Sequence, residues 1–206
     1  IQKYIVSSKK ILFEGDGYSD AWHKEAEKRG LSNFKTTPVA LDAMVSDKSK
    51  QLFKDNGIYT HSELEARHEI ELEKYIKKVQ IEARLMGDLA TNHIIPASIK
   101  YQNVLLQNVS LLREASLPEN LYKGQMTLLK EVSTHIQEVY DNVHEMVEAR
   151  KVANNIEDTR AKAIAYEAQV KAQYFDKIRY HVDKLEQLVD DELWTLPKYR
   201  ELLFLR

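Results

Sequence analysis

From Ser62 to about Ala115 the chain carries apolar or small residues at steps that alternate between three and four. The stripe runs through Leu72, Ile76, Val79, Ala83, Met86, Ala90, His93, Ala97, Tyr101, Val104, Asn108, Leu111 and Ala115. Such spacing keeps one face of an α-helix turned toward a neighbour, and it predicts a continuous rod. At the usual rise per residue the rod would be on the order of 80 Å long. One pair of consecutive four-steps, His93 to Ala97 to Tyr101, interrupts the alternation. A four-residue insertion of that kind locally unwinds a left-handed supercoil. It coincides with Pro96, which removes a helix hydrogen bond and predicts a kink there. A helix this long needs partners to bury its stripe.

The rest of the chain supplies them. Leu121 to about Ala153 carries Leu129, Val132, Ile136, Val139, Val143, Met146, Arg150 and Ala153 at the same spacing. After a turn at Asn154-Asn155, Ile156 to Leu193 carries a further helical stripe of Val170, Tyr174, Ile178, Val182, Leu185 and Val189, mostly at steps of four. Connections this short favour antiparallel neighbours. The fold expected is all-α: an elongated, antiparallel up-down-up bundle of three long helices over residues 61–206, capped by several short helices. Residues 1–60 read as a separate segment of short helices and connectors.

Within that segment, Ile1 to Phe13 is expected to form a helix with one buried face, and Glu14-Gly15-Asp16-Gly17 to stop it. Ser19 is a suitable N-cap for a helix through Arg29, closed by Gly30. Thr37-Pro38 restarts the chain, and Ser46 or Asp47 caps a further helix that ends at Asn56-Gly57. Thr60-x-x-Glu63 and Ser62-x-x-Glu65 are overlapping capping boxes, either of which would start the long rod. Near the other end, Leu196-Pro197-Lys198 introduces a last short helix reaching Leu202, Leu203 and Phe204.

Composition narrows the function classes. Hydrophobic residues make up 43% and charged residues 30%, with only 6 Gly and 4 Pro, as helix-rich soluble proteins do. Thirty basic residues stand against 32 acidic ones, with signs interspersed, so no nucleic-acid surface or anionic-membrane anchor is expected. The absence of cysteine excludes disulfides, thiolate metal sites and cysteine nucleophiles, and fits a reducing cytoplasm. No apolar run approaches the ~18 residues of a membrane span. Ile1 opens a stretch that reads as the middle of an element, which points to a piece of a longer chain.

Candidate chemistry is sparse. Glu65-x-x-His68 has the spacing that di-iron bundles place on two of four helices, and Asp20-x-x-His23 and Asp141-x-x-His144 are relatives of it. Glu65 and His68 stand among Glu63, Arg67, Glu69 and Glu71, a solvated charged face, and Asp141 and His144 flank Val143 at the rim of the core stripe. These pairs therefore read as surface or helix-end charges, and no metal site is expected. His93 and Asn108 fall on the apolar stripe. Each is either a buried proton donor or ligand or, as favoured here, a polar residue that fixes helix register. The same choice applies to His181 beside Val182. Gly15-x-Gly17 lacks the strand and further glycine of a nucleotide loop, and Lys74, Lys77 and Lys78 lie among glutamates as a solvated face. Trp22, Phe34, Trp194, Phe204 and Leu205 are left to anchor the cap or to face a neighbouring domain.

The segment from Ile11 to Ala43, ILFEGDGYSDAWHKEAEKRGLSNFKTTPVALDA, resembles type III glutamine synthetases, the large-subunit class. So do ELEARHEIELEKYIKKVQIEARLMGDLATNHIIPASIKYQ from Glu63, VYDNVHEMVEAR from Val139 and FDKIRYHVDKLEQLVDDELWTLPKYRELLF from Phe175. The resemblance covers nearly the whole chain and corresponds to the family's C-terminal part. It implies a bacterial-type, cytoplasmic enzyme that joins ammonia to glutamate using ATP with Mg²⁺ or Mn²⁺. It also implies homo-oligomers of stacked hexameric rings and an upstream catalytic domain as this region's partner, with residues 1–60 the end of that domain or a connector to it. No catalytic, cofactor-binding or metal residue carries over, because the family's metal glutamates, its nucleotide segment and its phosphate-binding arginines have no counterpart in these 206 residues. The region alone is expected to be inactive. Readings of another class are a free-standing helical adaptor or scaffold, which a native start at an initiator methionine would favour, and a di-iron bundle, which metal analysis would decide.

Overall fold

The computed structural model describes residues 1–204, with the side chain of Lys10 excepted, and contains no strand among them. It divides into two compact units, residues 1–64 and 65–206.

The first unit holds short helices set by local signals. Helix α1, Gln2–Ser8, continues into a 3₁₀ turn over Lys9–Ile11. The buried face expected here is not found: no residue of α1 is buried, and Ile1 is 96% exposed. The apolar spacing makes the helix, but no element of its own unit lies over it. Helix α2, Asp20–Lys28, begins as expected at Ser19, whose hydroxyl accepts from the Trp22 amide, and Gly30 follows its end with a positive φ of 70°. Helix α3, Thr37–Leu41, has Pro38 in its first turn and runs into a 3₁₀ turn. Helix α4, Asp47–Asp55, is capped by Ser46 on the Ser49 amide. Gly57, at φ 62°, supplies the left-handed residue that turns the chain after it.

Of the two overlapping capping boxes, Thr60-x-x-Glu63 is closed in both directions. The Thr60 amide donates to Glu63 Oε2 at 2.8 Å, and the Glu63 amide donates to Thr60 Oγ1 at 3.3 Å. Helix α5, His61–Leu89, then leads through a π turn at Ala90–Ile94 into α6, Ile95–Glu114, a helical run of 54 residues.

The π turn corrects the expected register. Ile95 N–H donates to the Ala90 carbonyl, five residues back, just ahead of Pro96. Up to Ala90 the predicted stripe holds: Leu72, Ile76, Val79, Ala83 and Ala90 are buried. Beyond it Ala97 of the stripe is still buried, but the core face moves one residue later, to Ile94, Ser98, Leu105 and Val109, while Val104 and Leu111 are 53% and 55% exposed and Asn108 is exposed. One extra residue in a helical turn rotates all that follows by about 100° relative to an unbroken α-helix. Asn108 is therefore not a core register residue.

Helix α7, Lys123–Asn154, buries Val132, Val139, Val143, Met146 and Ala153 of its predicted stripe. The third rod is α8, Thr159–Ala165, a π segment over Tyr166–Phe175, and α9, Asp176–Leu188. It starts three residues later and stops five residues earlier than expected. Asp158 caps its start on the Ala161 amide, and Val189 turns extended at its end. Its stripe holds nonetheless, with Val170, Ile178, Leu185 and Val189 buried. The last helix, α10, Tyr199–Leu202, is a single turn.

Cross-helix contacts set the directions. Gln80 meets Asn154, Gly87 faces Val143 and Met146, and Gln102 meets Ser133, so residue numbers fall on α7 as they rise on α5 and α6. Asn154 meets Tyr166 and His135 meets His181, so α7 and the third rod are also antiparallel. Glu69 with Thr159 and Tyr75 with Glu167 make the first and third rods parallel. The second unit is the expected up-down-up helical bundle with α7 packed against both others.

Candidate functional site

The polar residues of the bundle gather where the three rods meet. Tyr166, fully buried at the start of the third rod's π segment, donates to Asn154 Oδ1 at 2.5 Å. Gln80 on α5 donates to the same oxygen at 2.9 Å and to the Tyr166 hydroxyl at 3.1 Å. One residue from each rod thus closes a triangle. Burial holds the Tyr166 phenol above its ordinary pKa, against the opposing Gln80 hydrogen bond and the charges of Arg150 and Arg84.

One helical turn away, the Tyr75 hydroxyl donates to the Glu167 carboxylate, which also pairs with Lys171 at 3.3 Å. The Lys171 ammonium lies 5.8 Å from the Tyr75 ring centre. Farther along α7, His135 and His181 face each other with their Nδ1 atoms 2.8 Å apart. Glu138 Oε2 stands 3.9 Å from the opposite ring nitrogen of His181. Desolvation lowers the pKa of His135, and the charges of His181 and Lys184 act in the same direction.

A fourth group ties down the segment after α9. The buried Lys198 donates to the Val189 carbonyl at 2.8 Å, pairs with Asp191 at 2.7 Å and lies over the buried Trp194 ring. Arg200 shares the same Asp191 carboxylate. These residues border a cavity of about 510 Å³ with Asp183, Glu186 and Gln187. A second, apolar groove of about 330 Å³ lies between Leu85, Met86, Leu89 and Ile94 on one side and Phe175 and Ile178 on the other.

The residues singled out from sequence fall elsewhere. His93 sits half-buried in the π turn, its Nδ1 3.4 Å from Thr195 Oγ1, so it faces the tail segment and not the core seam. His181 lies at the seam, but its partner is His135. Glu65 is exposed and His68 half-buried in the early turns of α5. Asp141 and His144 are exposed, with His144 stacked on Tyr140. In the first unit, Asp20 and His23 are 3.8 Å apart with the Asp20 side chain 99% exposed. Among the described residues, no three His, Asp or Glu side chains gather as a group that could hold a metal ion. Gly15 and Gly17 lie in a bend and a turn.

The aromatics divide. Trp22 packs on Phe13, with ring centres 4.5 Å apart, beneath Arg29, and Trp194 is buried. Phe34 and Phe204 stay exposed, and Leu205 lies outside the described residues.

Reasoning from spacing missed Tyr166, Gln80, Asn154, Tyr75 and His135. Tyr166 was within reach, one four-step before Val170 on the same stripe. The others flank stripe positions, and only the pairing of helices brings them together. The arrangement cross-links rods through reciprocally satisfied side chains, which is the chemistry of fixing register.

Among the described residues, no helix is long and apolar enough to cross a membrane. The family described as glutamine synthetase C-terminal domain matches residues 1–113. The chain is 45% identical over 207 residues to a glutamine synthetase of Bacteroides fragilis (strain YCH46), covering 99% of this chain and 28% of that protein. It is 31% identical over 219 residues to the type-3 glutamine synthetase of Dictyostelium discoideum, covering 100% and 28%. A glutamine synthetase of Butyrivibrio fibrisolvens is 29% identical over 204 residues, covering 99% and 29%. The chain thus spans less than a third of the length of the curated relatives it matches.

Proposed function

This chain belongs to the glutamine synthetase C-terminal domain family, and from that premise we propose that it supports the structure and assembly of a parent glutamine synthetase without taking part in the chemistry. The parent enzyme would join ammonia to glutamate with ATP and Mg²⁺ or Mn²⁺, in the cytoplasm, as a homo-oligomer of stacked hexameric rings. The immediate partner of this region would be the catalytic domain of the same chain. Membership in the family takes the place of the free-standing adaptor reading. The carboxylate-x-x-histidine pairs, which do not gather among the described residues, leave a di-iron bundle without its ligand set.

The observation that carries the proposal is the use to which the bundle puts its polar side chains. Tyr166, Asn154 and Gln80, and then Tyr75, Glu167 and Lys171, are spent on one another across the rods. Groups committed in this way hold helices in register, whereas catalytic groups converge on a space that a substrate can enter. Val104 and Leu111, turned out of the core by the π turn, add apolar surface suited to a neighbouring domain or subunit.

Removing residues 61–206 from the parent enzyme tests this. The expected result is loss of subunit stability or of the large assembly in sedimentation, ahead of any change in the chemistry of subunits that remain folded. Normal assembly with only an altered response to a metabolite would replace the structural role with a regulatory one. Calorimetric titration of this chain alone with Mg-ATP is expected to be silent, and saturable micromolar binding would overturn the non-catalytic reading.

A further inference from the structure

The contact between His135 and His181 depends on how many protons the two rings hold. An Nδ1-to-Nδ1 hydrogen bond, here 2.8 Å between α7 and α9, requires one nitrogen to carry hydrogen and the other to offer its lone pair. Two neutral rings satisfy this, and so does one neutral ring beside one imidazolium. Two imidazolium rings do not. Both Nδ1 atoms would then carry hydrogen, and two positive charges would face each other across a partly desolvated contact.

The surroundings reinforce this arithmetic. His135 senses His181 and Lys184 from α9, and Glu131 and Glu138 from its own helix. The Tyr180 ring stands edge-on to both imidazoles, with centroids 6.4 Å and 5.0 Å away. From α6, Gln102 donates to Ser133 of α7 at 2.7 Å, an uncharged link. Glu138 Oε2 lies by the far nitrogen of His181. Burial and the charges of His181 and Lys184 oppose a proton on His135, with Glu131 and Glu138 acting the other way.

We propose that the His135–His181 pair is a proton-operated clasp between α7 and α9, closed while at most one ring is protonated and opened when both are. The direction with pH follows. In the unfolded chain His135 takes up its proton near the ordinary histidine value of about 6.5. In the folded chain it does so only at lower pH. The unfolded state therefore binds more protons in the window just below that value, and the clasp's contribution is lost as pH falls through it. Above the window the contribution is complete. The seam it guards is the one where Ile178 and Leu185 are buried. The proposal concerns this pair alone and stands whatever the parent enzyme does.

Imidazole ¹⁵N spectra of the whole 206-residue chain, recorded from about pH 8 to 5, test it without any substitution. The two rings should protonate in separate steps at least about one pH unit apart, as coupled sites do. The shared Nδ1 hydrogen signal should vanish with the second step. Two rings titrating together would overturn the clasp. A double-mutant cycle with His135→Gln and His181→Gln adds an energetic readout. Coupling in the unfolding equilibrium should be about 3- to 10-fold at pH 7.5 and should be smaller at pH 5.5. Coupling equal at both pH values, or none at pH 7.5, would refute it.

Discussion

The two units show how differently a helix can be justified. Residues 1–64 hold helices that start and stop on local chemistry: Ser19 on the Trp22 amide, Ser46 on the Ser49 amide, and left-handed glycines at 30 and 57. Their apolar residues are largely left in water, as Ile1, Tyr4, Val6 and Ile11 are. Residues 65–206 bury a continuous core from Leu72 to Val189, and α7 stands in it with no side-chain cap from Tyr122 at its start. Caps decide where a helix begins. Only long stripes that meet other stripes decide that it stays, since most helical stability in proteins comes from tertiary packing.

That contrast can be broken by experiment, and the largest effect should come from the core. Leu185→Ala removes a fully buried side chain at the α7–α9 seam and should cost about 2–5 kcal/mol in urea denaturation. Ile5→Ala, at a position 55% exposed in α1, should stay within about 0.5 kcal/mol. Equal costs would erase the distinction between the units. Tyr166→Phe comes next. It leaves Asn154 and Gln80 bonded to each other at a half-buried site and should cost about 0.5–1.5 kcal/mol in the same assay. Amide exchange should then rank the regions, with residues 1–57 exchanging before α5, α7 and α9. Protection in α1 equal to that of α7 would show a partner surface absent from this description.

Smaller effects sharpen the picture at single turns. Thr60→Ala opens the reciprocal capping box and should cost about 1 kcal/mol, with faster exchange at the Glu63 amide as the local sign. Gly87→Ala should stabilise by about 0.5–1 kcal/mol, seen as a raised thermal midpoint. A Cβ there would meet Val143 at 3.7 Å and Met146 at 4.0 Å, ordinary contact distances, and the helix would gain a better former.

Much of the bundle was legible because its information is periodic. The stripes of α7 and α9 and the Thr60 start of the first rod are local patterns, and each appears where the spacing put it. The register after Pro96 was not legible. Proline announces that the hydrogen-bond ladder must change, but it does not say whether the chain kinks or widens into a π turn. The polar triangle of Gln80, Asn154 and Tyr166 was hidden for another reason. Its members lie 74, 86 and 12 positions apart, and only the antiparallel pairing of α5 with α7 and of α7 with the third rod brings them within 3.1 Å. His135 carries no periodic mark either, and its role exists only opposite His181.

The π turn at Ala90–Ile94 also makes chain length negotiable at one place in the first rod. A π turn is an α turn holding one residue too many, so the flanking helices already face as they would without it. Deleting the exposed Asn92 would let the ladder close as plain α-helix, with Leu105 and Val109 still turned to α7. Pro96 would then need to become alanine, since its ring crowds the carbonyl that the wide turn now spares. The same deletion at Ala83 or Val139 would rotate half a rod out of its core. Single-residue insertions and deletions among relatives should therefore collect at this turn and be rare along the rest of the first rod and along α7.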